Sequence, residues 1–162
     1  MGAWGTGIYS NDVSEEVRDI YKNLLKDGKT NEEALQETID ECKDYIADSD
    51  DENDFWFALA DTQSSLGRLH PKVKRRALEL IDKGGHIDRW LDAGDQKNIK
   101  KRMEVVEKLK EKLTGPQPPE KKIPRRIVFK CPWQIGDVFA YRLESEEAEE
   151  NGLFGRYLII QK

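Results

Sequence analysis

The stretch TGPQPPEKKIPRR, residues 114–126, divides the chain. It holds four prolines, and each one fixes φ and removes a backbone donor, so no helix can run through it. Before it, apolar residues recur at every third or fourth position. After it, they alternate or gather in short runs. Its composition predicts an extended linker. The chain therefore reads as an α+β protein. A helical domain of five to six helices covers 1–113, the proline-rich linker covers 114–126, and a small antiparallel β unit covers 127–162.

Helix boundaries can be placed from capping chemistry. Asp12 with Glu15 has capping-box spacing, and Val13, Val17, Ile20, Tyr21, Leu24 and Leu25 follow at helical period. Gly28 suits the left-handed position after that helix. Thr30 with Glu33 is a second capping box, ahead of one stripe through Leu35, Ile39, Cys42 and Ile46. A third helix spans DFWFALADTQSSLGRL, with Phe55, Leu59, Thr62, Leu66 and Leu69 on one side. Phe55, Trp56 and Phe57 are consecutive, so one must meet a second layer or the N-terminal segment. Pro71 opens a fourth helix and Gly84-Gly85 ends it. A short helix is anchored by Ile87, Trp90 and Leu91. Asp95 caps a long one whose inner stripe is Ile99, Met103, Val106, Leu109 and Leu113.

Beyond the linker, RRIVFK, IGDVFAYRL and LFGRYLIIQK read as strands, the last two joined by a polar loop or one helical turn ending at Gly152. Val138, Ala140 and Arg142 share one face. Phe139, Tyr141 and Leu143 share the other. A small free-standing sheet is marginal. The sheet is expected either to pack on the helices or to belong to a chain that continues past Lys162.

Charge is unevenly spread. Residues 1–70 carry 17 Asp/Glu against 6 Lys/Arg, a net of −11, and residues 71–130 carry 18 Lys/Arg against 9 Asp/Glu, a net of +9. Two oppositely charged layers that attract each other account for this. A basic surface for nucleic acid is the alternative, through Arg75, Arg76, Lys100, Lys101 and Arg102. That region lacks the interleaved aromatics of single-strand binders. No apolar run approaches the ~18–20 residues a membrane helix needs. No signal peptide is visible. Cys42 and Cys131 fall in different segments and predict reduced thiols in a cytoplasmic setting.

The opening MGAWGTGIYSND resembles a phosphate loop only in its glycines. No strand precedes Gly2, no lysine follows, and Asp12, Glu15 and Glu16 would repel an anion. A structural plug fits better. Trp4 is the apolar anchor, Gly5 and Gly7 permit close backbone approach, and Asn11 and Asp12 satisfy the first helix turn. The acidic run Asp48, Asp50, Asp51, Glu52, Asp54 fails the calcium-loop pattern at its sixth and twelfth positions, Asn53 and Leu59. Glu33, Glu37, Asp40, Glu41 and Asp44 line one helix face and could serve a magnesium-dependent nucleotide hydrolase. The next helix offers only Asp54 and Asp61 against them. His70 and His86 both sit at helix boundaries, and no nucleophile–base pattern appears. No catalytic residue, metal site or cofactor is expected.

Two resemblances follow from these motifs. GAWGTGIYSND, the helix with Ala58, Leu59, Ala60, Gln63, Gly67 and Leu69, VKRRALELID and the strand Gly136–Leu143 resemble a bacterial family known only as a domain of unknown function. That likeness implies no activity and no site residues. Ile135–Phe139 and Gly155-Arg156-Tyr157-Leu158 are similar to strands of immunity proteins of polymorphic-toxin systems. This implies a non-enzymatic protein-binding module, defence-related, whose partner is a protein. The expected partner surface is the acidic run Asp48, Asp50, Asp51, Glu52 and Asp54, or the basic face around Lys100–Arg102; a nuclease partner would prefer the acidic face, which mimics phosphate.

Overall fold

The computed structural model describes residues 5–49, 51–92, 94–127 and 136–161, with backbone alone at 89 and 92. Trp4, Asp50, Lys162 and the segment 128–135, which includes Cys131 and half of the first expected strand, lie outside the described residues. The fold is α+β and divides into two units, Met1–Arg126 and Ile127–Lys162.

The first unit holds α1 (Asp12–Lys26), α2 (Asn31–Glu41), α3 (Lys43–Ala47), α4 (Glu52–Ser65), α5 (Pro71–Lys83), a 3-10 turn (Gly85–Ile87), α6 (Asp88–Asp92) and α7 (Gln96–Thr114). Helix α4 is the centre, packed by α1, α3, α5 and α7. Phe55, Trp56, Phe57, Ala58, Leu59 and Ala60 are all buried, so this helix is apolar on every side rather than on one stripe. That resolves the consecutive aromatics: all three are buried, with the Phe55 and Trp56 rings edge to face at 5.1 Å and Phe57 against His86 at 5.8 Å. Burying one such large side chain contributes about 1.5–3 kcal/mol.

Caps set most boundaries. Asn11, not Asp12, caps α1 by accepting the Ser14 N–H at 2.7 Å. Thr30 and Glu33 form the expected reciprocal box, with bonds of 3.2 and 2.8 Å. Gly84 ends α5 at φ +80. Three expectations are corrected. The Leu35–Ile46 stripe is two helices, because the Cys42 backbone leaves the helical region at φ −101, ψ 20. The third helix stops at Ser65, not Leu69. There the Arg68 N–H reaches back to the Gln63 carbonyl at 2.8 Å while Gly67 turns left-handed at φ +67. On α7 the buried position is Arg102, and Met103 is 54% exposed.

The proline-rich segment 115–126 is extended and tied along this unit. Lys121 N–H donates to the Leu66 carbonyl at 2.9 Å and Arg126 N–H to Lys26 at 2.8 Å. Ser64 Oγ donates to Gln117 Oε1 at 2.8 Å, and Ile123 packs on the core. A Cβ on Gly67 would sit 2.5 Å from the carbonyl oxygens of Pro118 and Pro119, so only glycine lets the segment lie this close.

The second unit holds β1 (Val138–Arg142), α8 (Glu146–Glu150) and β2 (Tyr157–Gln161). The strands are antiparallel, with Ala140 opposite Ile159 and Tyr141 opposite Leu158. Ser145 caps α8 by accepting the Ala148 N–H at 3.2 Å. Among the described residues, no helix is long and apolar enough to cross a membrane.

Candidate functional site

Three features of the chain have the geometry to do something. The first is the guanidinium of Arg102, carried into the interior by the stripe of α7. Its Nη2 donates to Asp54 Oδ1 at 2.8 Å, and its Nη1 donates to the carbonyls of Gly7 at 3.0 Å and Thr6 at 3.4 Å. The cation also lies over the rings of Trp90 at 5.6 Å and Phe57 at 5.8 Å. A buried charge persists only when paired and hydrogen-bonded, and both conditions are met here. The opening turn therefore presents carbonyl oxygens to a cation of its own chain. Gly5 and Gly7 crowd Ser10: a Cβ at Gly7 would meet Ser10 Oγ at 2.8 Å. Ile8 and Tyr9 lie on the core. Tyr9 Oη bonds Asp61 Oδ2 at 2.9 Å and Thr62 Oγ1 at 2.8 Å, and burial together with Asp61 drives its pKa well up.

The second feature is a cleft of about 240 Å³ beside that ion pair, lined by Glu52, Asn53, Lys83, His86, Asp88 and Trp90 among others. His86 packs its ring on Phe57 at 5.8 Å. Its Nδ1 is buried without a hydrogen-bond partner among the described residues. Burial, and then the neighbouring Arg102 cation, push its pKa down to about 4, so the imidazole is neutral at pH 7.

The candidate charges fall differently from their sequence grouping. Asp54 and Arg102 were expected on separate acidic and basic surfaces; both are buried, on each other. Glu52 and Arg76 were divided in the same way and form an ion pair with each other. Lys112 and Asp61 add a third link between the acidic and basic parts of the chain, at 2.6 Å. Asp51 is buried, Asp48 is exposed, and Asp12 is exposed in the first turn of α1. Arg75, Lys100 and Lys101 remain on the surface. On α2, Glu33 is held by its capping box, Glu37 pairs with Lys29 at 2.5 Å, and Asp40 accepts from Gln36 at 2.9 Å. Glu41 and Asp44 are exposed. No group of three or more His, Cys, Asp or Glu among the described residues is placed to hold a metal ion. Burial, then Glu16, hold the Cys42 thiol up at about 11, which keeps it protonated.

The third feature is the β unit. Val138, Tyr141, Tyr157, Leu158, Ile159 and Ile160 are between 48% and 63% exposed. The register puts Val138, Tyr157 and Ile159 on one face and Tyr141, Leu158 and Ile160 on the other. Sequence alternation identified these faces but gave no sign that both would be open.

No family model, curated protein or solved structure matches this chain.

Proposed function

We propose that this chain is a non-catalytic protein-binding module whose docking element is the β1–β2 ladder. One observation carries the reading: the sheet, two-stranded among the described residues, exposes large apolar side chains on both faces. Two strands alone are marginal in water, and contiguous apolar exposure of this kind marks interaction sites. A partner that covers the ladder supplies a second layer. The likeness of Ile135–Phe139 and Gly155–Leu158 to toxin-immunity proteins agrees with this, and makes the module a bacterial, cytoplasmic, defence-related one.

The docking element shifts away from the acidic run, because Arg102 and Arg76 already engage Asp54 and Glu52. The same two pairs weigh against Arg76 and Arg102 as phosphate contacts.

The test is affinity capture with the tagged full-length chain in its host, read by mass spectrometry. A stoichiometric protein partner is expected with the native chain. Tyr141→Asp combined with Ile159→Asp should abolish capture while leaving the thermal unfolding of the helical unit unchanged. Asp48→Lys should retain it. Capture that survives the strand variant, or recovery of nucleic acid alone that high salt releases, would overturn the reading.

A further inference from the structure

We infer, on the protein-binding reading above, that the ladder's occupant is an extended peptide segment, apolar at alternate positions and basic at one end, added as a further strand. Among the described residues each strand pairs on one side only, β1 with β2, so outward N–H and C=O groups remain along each outer edge. Proteins normally guard such edges with lysine, proline or bulges. Here the ten strand residues include no proline and a single charge, Arg142. An apolar edge, unpaired among the described residues, suits β-augmentation, in which main-chain bonds give affinity and alternate side chains give specificity.

Charge selects the partner's chemistry. The connection between the strands closes on the ladder through the Leu143 N–H to the Arg156 carbonyl at 2.9 Å and the Gly155 N–H to the Leu143 carbonyl at 2.8 Å. That places α8 at the end where Arg142 faces Tyr157. Glu144, Glu146, Glu147, Glu149 and Glu150 are all exposed there. Arg142 pairs with Glu144 at 3.3 Å, and no ion pair engages the glutamates of α8 among the described residues. A lysine- or arginine-bearing flank meets this acidic end. A second copy of the chain would bring like charge instead: residues 136–161 hold six Asp/Glu against two Arg, a net of −4.

The probes are two labelled synthetic peptides titrated against the full chain by fluorescence anisotropy. Each alternates valine and threonine over about eight positions, a length that matches one strand. One ends in three lysines and the other in three glutamates. The lysine peptide should bind saturably and at least about tenfold more tightly than the glutamate peptide, with the gap shrinking as salt rises. Glu146→Lys with Glu147→Lys should reverse the preference, and Ile159→Asp should remove binding of both. Equal binding of the two peptides, or no binding of either, would overturn the inference. So would a dimer of the chain alone that Ile159→Asp dissociates in sedimentation. If neither peptide binds while host capture still depends on Ile159, the inference falls and the protein-binding reading stands.

Discussion

Arg102 Nη2 lies 2.8 Å from Asp54 Oδ1, which joins the middle of α7 to the first turn of α4 inside the helical unit. The same guanidinium holds the Gly7 carbonyl at 3.0 Å, so one side chain ties three parts of the chain together. Its desolvation is offset only while every partner is present. Arg102→Met or Asp54→Asn should each destabilise the protein by about 3–5 kcal/mol in urea unfolding, because each leaves a buried polar or charged group unmatched. The double variant Arg102→Met/Asp54→Leu should lose less than the sum of the two singles. Single losses below about 1 kcal/mol would mean that the pair is solvated.

Gly67 should be far less replaceable than Gly84. Both have positive φ, +67 and +80, but only Gly67 faces the carbonyls of Pro118 and Pro119, while nothing lies within 4 Å of a Cβ at Gly84. Gly84→Ala should cost about 1–2 kcal/mol from left-handed strain alone. Gly67→Ala should cost more and should free the segment 115–126. Trypsin cleavage after Lys121, Lys122 and Arg125 should accelerate in Gly67→Ala and stay slow in Gly84→Ala.

Stability should fall as pH drops from about 6.5 toward 4. Burial, aided by Arg102, lowers the folded pKa of His86 to about 4, so the unfolded chain binds the proton first. At least about one pH unit above the ordinary value of about 6.5, the ring is neutral in both states and contributes no slope. A shift of this size would be about 3 kcal/mol at full burial, and partial exposure of the ring reduces it to roughly 1–2 kcal/mol. His86→Phe retains a ring against Phe57 and should flatten that part of the profile in unfolding measured across pH. An unchanged slope would assign the loss to other groups.

Much of the fold was legible because local chemistry agreed with it. Thr30 and Glu33 announce their helix, Pro71 and Gly84 bracket another, and the ladder faces follow from alternation. Arg102 was hidden by its residue type. The spacing 99, 102, 106, 109, 113 is a good helical stripe, yet a charged residue at 102 beside Met103 argues for the methionine. Only the carboxylate from α4 and the carbonyls of the opening turn make the arginine the better core residue, and those partners are 48 and 95 positions away. The same distance hid Gly67, whose need for glycine comes from prolines some fifty residues later. Composition, for its part, reports that 114–126 is extended but not what it lies against.

Amide hydrogen exchange of the full chain, alone and bound to the protein it captures, tests the central claim most directly. A ladder of two strands among the described residues gives its amides little cover, whereas α4 sits at the centre of the helical unit. Residues 138–142 and 157–161 should exchange orders of magnitude faster than α4 in the free chain, then become protected in the complex. Strand amides already as slow as α4 in the free chain, or equally fast in the complex, would contradict a docking role for the ladder.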